Sequence, residues 1–192
     1  MIPAYGPKVI GCSAAWHRRI FDVFGPLLPE TFCEDRVIPF RAALLGKIQY
    51  VATSTLLYRR HCDIASAQIV PSKYCTFDEL QRIRKNRFRE HLHILQNFEK
   101  DLQHAKATSL IPLHVAENLL DLLAKTRSYT FLQMEAVTGN GLPRILAGTR
   151  LLLRFGPPFK RSLRSRLSVL VHSVFPKRER RLHERHLRTL LE

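Results

Sequence analysis

"TFDELQRIRKNRFREHLHILQNFEKDLQHA", residues 76–105, is the most regular stretch of the chain. Thr76 stands three residues before Glu79, the spacing at which a hydroxyl and a carboxylate satisfy each other's free backbone donors at a helix start. Phe77, Leu80, Ile83, Phe88, Leu92, Leu95, Phe98 and Leu102 then recur at helical spacing, which predicts a long amphipathic helix. A second helix is predicted after Pro112, carrying Val115, Leu119, Leu122, Leu123 and Phe131 until Gly139 closes it. Two such helices joined by a short turn read as an antiparallel pair, with stripes that serve packing rather than a cofactor. Residues 71–142 are therefore assigned to a helical hairpin.

Upstream of Pro71 the pattern changes, and residues 1–70 read as α/β. "KVIGCSAAW" (8–16) has the composition of a short buried strand, with Gly11 allowing a close backbone approach. "HRRIFDVFG" (17–25) places Ile20, Phe21 and Phe24 on one helical face and stops at Gly25-Pro26. From Asp35, the residues Val37, Ile38, Phe40, Ala42, Leu44 and Leu45 predict a helix apolar over much of its surface, ended by Gly46. "KIQYVATSTLLYR" (47–59) has strand composition, marked by Ile48, Tyr50, Thr53 and Thr55.

Residues 143–192 form a third region, a basic amphipathic tail. Between Pro158 and Pro176, Leu163, Leu167, Leu170, Val171 and Val174 share one helical face. Arg161, Arg164, Ser165, Ser168 and His172 lie across from them. Such a helix lies on an anionic membrane, docks on a partner, or packs on its own domain with a solvated outer face.

Charge is the strongest compositional signal in the 192 residues: a net +15. From Arg144 to the end, thirteen Lys and Arg face three Glu. An excess of this size points to an anionic partner, either a membrane surface, a nucleic acid or a phosphorylated substrate. Nucleic acid is disfavoured, because the basic residues are not interleaved with stacking aromatics and form no recognised motif. The four cysteines lack Cys-x-x-Cys spacing and are read as reduced thiols. No run of 18 apolar residues occurs, and the opening residues lack the pattern of a secretory signal. A cytoplasmic location is expected, with peripheral attachment at the inner face of the membrane.

Two adjacent acids, Glu34 and Asp35, open the apolar helix. Carboxylates there are stabilised by the helix dipole and by free backbone N–H groups, which suffices to explain them structurally. The same placement suits a group that takes a proton from an incoming hydroxyl. His61 is equally open to two readings, as a hydrogen-bonded surface residue or as a ligand.

The stretch from Gly11 to Ser66 resembles the C-terminal half of the catalytic domain of family 2 glycosyltransferases, inverting enzymes of GT-A fold. The resemblance rests on Gly11, Ala15, Arg18, Arg19, Phe21, Phe24 and Gly25, then Glu34 and Asp35 at a helix start. Arg41, "LLG" at 44–46, and Tyr58, Arg59 and His61 complete it. It implies a partial GT-A fold of α/β type, followed by an α-helical C-terminal region. Asp35 would act as the general base on the acceptor hydroxyl, with Glu34 as its companion acid. His61 would complete a divalent metal site, holding Mg or Mn, on the sugar-nucleotide diphosphate. Arg59 and Arg60 would add positive charge near the phosphates. Arg41 would contact substrate or serve as an ion-pair partner.

Two departures from that family pattern stand out. Ile64 occupies a position where Asn is usual, and the chain contains no Asp-x-Asp and almost nothing before Gly11. The expectation is a truncated or split enzyme whose metal binds only if the missing half, in another segment or a partner chain, is supplied. It would transfer a sugar, with inversion, from a nucleotide-sugar donor to a hydroxyl acceptor, for which a lipid-linked molecule suits the tail. The alternative is a non-catalytic module that docks on a membrane or a partner through its basic amphipathic C-terminus.

Overall fold

The computed structural model describes residues 11–29, 31, 33–46, 48–53, 57, 76–139 and 141–154, together with Arg181 and Glu184. Five helices occupy most of them: α1 (Arg19–Phe24), α2 (Glu34–Leu44), α3 (Phe77–Ala107), α4 (Leu113–Thr138) and α5 (Gly141–Arg154). The chain divides into two units. Unit 1 comprises residues 1–59 and 90–127, and unit 2 comprises residues 60–89 and 128–192. The helices α3 and α4 each pass from one unit into the other, between Arg89 and Glu90 and between Arg127 and Ser128.

Unit 1 is built on the apolar stripe of α3. Ile94, Leu95, Phe98, Leu102 and Ala105 are buried with Phe24 from α1 and with Val37, Phe40 and Leu44 from α2. The rings of Phe40 and Phe98 stack with centroids 4.1 Å apart. Leu119, Leu120 and Leu123 of α4 pack against the same cluster. Lys106 pairs with Glu117 at 3.0 Å and Arg127 with Glu99 at 2.9 Å, the order that antiparallel neighbours produce. A second cluster joins Ile20 of α1 to Ile38 and Ala42 of α2, with Trp16 against it. Burying each of these larger side chains is worth about 1.5–3 kcal/mol relative to leaving it in water.

Local signals account for the helix ends. Gly25 (φ +71°) and Gly46 (φ +76°) follow α1 and α2 in a left-handed region that other residues rarely adopt. At the start of α3 the capping box is formed: the Glu79 amide donates to Thr76 Oγ1 (3.3 Å), and the Thr76 amide donates to Glu79 Oε2 (2.7 Å). At its end, Leu110 N–H donates to the Ala105 carbonyl and Ser109 N–H to that of Lys106. This is the Schellman arrangement, with Ser109 at φ +53° where glycine is usual. Pro39 lies inside α2 and has no N–H to offer the Asp35 carbonyl one turn back.

In unit 2, Ala136 of α4 is buried against Ala147 and Leu151 of α5, with Tyr129 and Leu132 packed around them.

The expected α/β unit is corrected by these observations. Among the described residues there is no β-strand, and residues 11–13 form a 3₁₀ turn. Residues 48–53 are irregular, with Tyr50 87% exposed and Leu57 96% exposed. Strand propensity expresses a fit to a half-buried pleated surface, and a segment with no neighbouring strand has no such surface. The partial GT-A fold is therefore overturned, and with it the resemblance to a glycosyltransferase. The helix that carries Glu34 and Asp35 packs on α3. Phe21 also departs from expectation, being 38% exposed while Ile20 and Phe24 are buried. The helix expected over 158–176 lies outside the described residues.

Candidate functional site

The start of α2 brings Glu34 and Asp35 beside Gly11, with Cys33 and Arg36 within electrostatic reach of Glu90 and His91 of α3, all within unit 1. A methyl group on Gly11 would sit 3.4 Å from Glu34 Oε1 and 3.6 Å from Asp35 Cβ, so the 3₁₀ turn lies against both acids. Glu34 is exposed and Asp35 half-buried. Burial first, and the Glu34 charge second, push the Asp35 carboxyl above its ordinary range. Burial, followed by the Asp35 charge, pushes the Cys33 thiol up as well, which disfavours the thiolate. His91 is pushed down by burial and by Arg36.

Arg41 has a different environment. Its guanidinium is fully buried and donates from Nε to Asp101 Oδ2 (2.7 Å) and from Nη2 to Asp101 Oδ1 (2.9 Å). Nη1 donates to the Gly25 carbonyl at 2.7 Å, and the group lies 5.6 Å from the centre of the Phe24 ring. Burial raises the Asp101 carboxyl, while the hydrogen bonds and charge of Arg41 pull it back. Next to this pair the buried Asn97 amide donates to Thr31 Oγ1 (3.1 Å) and to the His93 carbonyl (3.0 Å). Its oxygen accepts from the Leu28 amide at 3.3 Å. Arg41 thus clamps the loop between α1 and α2 onto α3, in an ion pair whose partner is 60 residues away.

Arg59, Arg60 and His61 lie outside the described residues. Among the described residues, no group of three His, Cys, Asp or Glu side chains is placed to hold a metal ion. The start of α2 offers a half-buried carboxyl, an exposed one and a protonated thiol.

Charge is distributed between the units far less evenly than the chain total suggests. In unit 1, eleven Lys and Arg stand against nine Asp and Glu, a net +2. In unit 2, twenty stand against seven, a net +13. Arg82, Lys85 and Arg89 on α3 are exposed and fall within about 60° of one another around the helix, over a rise of about 10 Å. Among the described residues no carboxylate lies within salt-bridge distance of these three. The basic excess read from the sequence lies after Arg144 and does not include this ladder, although the i, i+3, i+7 spacing of its cations is legible there.

The orientation of α5 is also unexpected. Arg144, Ala147 and Leu151 are buried, and Arg144 donates to the Gly139 carbonyl at 3.5 Å. Leu142, Ile145 and Leu146 face outward, 66%, 37% and 45% exposed. Among the described residues no helix is long and apolar enough to cross a membrane.

No protein-family model, no curated protein and no solved structure matches the chain.

Proposed function

We propose that the chain is a non-catalytic docking module that attaches to an anionic phospholipid surface through unit 2. The observation that carries this reading is the segregation of charge, +13 on one unit and +2 on the other. Self-repulsion on that scale opposes folding, and an anionic surface relieves it. Arg82, Lys85 and Arg89 supply one exposed line of contact. Each cation near an anionic bilayer contributes about 1 kcal/mol, so three contribute on the order of 3 kcal/mol, or about two orders of magnitude in affinity. The buried clamp of Arg41 and Asp101 supports a structural rather than a substrate-binding role for unit 1.

Flotation with vesicles of equal parts phosphatidylserine and phosphatidylcholine tests the proposal. The chain is expected to float with them in about 0.1 M salt and to be released in about 1 M salt, as the screening length falls from about 10 Å to about 3 Å. Pure phosphatidylcholine vesicles should not bind it. The combined variant Arg82→Glu, Lys85→Glu, Arg89→Glu should bind at least about tenfold more weakly. No flotation at low salt, or tighter retention by single-stranded RNA than by the vesicles at equal salt, contradicts the proposal.

A further inference from the structure

The outward face of α5 deepens the proposed function and rests on it. A helix that packs on its own unit ordinarily turns its large apolar side chains inward and its charges outward. The helix α5 departs from this in its first two turns: Arg144 is buried with Ala147 and Leu151, while Leu142, Ile145 and Leu146 stand in the open. Positions 142, 145 and 146 have the i, i+3, i+4 spacing of one continuous stripe. Arg150 is exposed one turn beyond Leu146, and Pro143 lies in the first turn, where its missing N–H costs nothing.

We infer that this stripe is the element that enters the lipid headgroup layer, with α5 lying in the plane of the surface. Charge complementarity decides the occupant. The stripe belongs to a unit whose residues sum to +13, so a second copy of the chain carries the same excess and is repelled. Three partly exposed aliphatic side chains also fall well short of the roughly 800 Å² per partner that a stable protein interface takes. An anionic bilayer answers both features, since its phosphates attract the cations and its acyl boundary accepts the leucines.

The test is Leu146→Trp in the full chain, with the wild-type emission of Trp16, in unit 1, as the baseline. The vesicles contain equal parts phosphatidylserine and phosphatidylcholine, with acyl chains brominated in one set and unmodified in the other. The inference predicts that the variant co-sediments with both sets, and that bromination removes at least half of the added emission while sparing the baseline. Co-sedimentation without quenching overturns the insertion of α5 and leaves surface docking intact. Failure of both the variant and the wild-type chain to co-sediment overturns docking and insertion together. A blue shift that grows with protein concentration in the absence of lipid shows a second copy covering the stripe, and overturns the inference. The double variant Leu142→Asn, Leu146→Asn guards against a misplaced tryptophan. It is expected to bind the same vesicles several-fold more weakly while keeping its salt dependence, and unchanged binding counts against insertion.

Discussion

Arg41 reaches Asp101 through two hydrogen bonds and the Gly25 carbonyl through a third, so truncating either charged partner strands the other in the core. Removing one member of a buried pair typically costs about 3–5 kcal/mol, because the survivor keeps its charge without compensation. Arg41→Ala and Asp101→Ala are each expected to lower the urea midpoint by that equivalent, and the double variant should cost far less than the sum. A loss below about 1 kcal/mol for either single variant would mean that water reaches the pair. Asp35 is a weaker case with a definite sign. Its carboxyl is raised by burial, then by Glu34. The folded chain thus holds this proton more tightly, an advantage complete below the unfolded pKa and lost as pH rises through the folded one. Asp35→Asn is therefore expected to melt higher than wild type near about pH 7 and level with it near about pH 3, where carboxylates are largely protonated. A lower melting temperature near neutrality would show that the α2 dipole outweighs burial. At this scale the sequence was half legible. A lone arginine inside the apolar run Val37–Leu45 signals a buried partner, yet nothing near it in the chain names Asp101.

Each helix of unit 1 is held by a local stop and a shared core, and the two differ in how readily they are read. The capping box at Thr76, the turn before Pro112 and the end of α4 before Gly139 follow from spacing, because each is a matter of a few adjacent residues. The strands expected at 8–16 and 47–59 rested on composition alone, and composition does not supply the neighbouring strand that a ladder requires. For α2, Val37, Phe40 and Leu44 are as apolar as a sheet-covering helix requires, but they meet Leu95, Phe98 and Leu102. Apolarity shows that a face is covered without showing by what. The end of α3 gives a direct check on this level of description. Ser109 holds a left-handed conformation in the Schellman turn, which costs an L-residue about 1–2 kcal/mol, part of which glycine returns as greater entropy lost on folding. Ser109→Gly is expected to stabilise the chain by about 0.5–1 kcal/mol, or about 2–4 °C in Tm per kcal/mol for a chain of this size. An unchanged or lower Tm would place the strain elsewhere.

The whole chain combines a nearly neutral helical unit with a strongly cationic one, joined through helices that belong to both. The total of +15 and its concentration after Arg144 were plain in the sequence, and the grouping of residues 60–89 with that tail in one cationic unit was not. The units change over inside α3 and α4, at Arg89 and Arg127, where no shift in composition marks a boundary. The outward turn of Leu142, Ile145 and Leu146 was hidden for a related reason: periodicity groups these residues without telling which side faces the core. Backbone amide exchange, measured free and on phosphatidylserine vesicles, tests the central claim most directly because it reports each segment separately. The account predicts slower exchange on the vesicles at residues 82–89 of α3 and 145–151 of α5, with no change at residues 37–44 of α2. Slowing confined to the residues of unit 1, with α5 and the cationic turns of α3 unaffected, would contradict it.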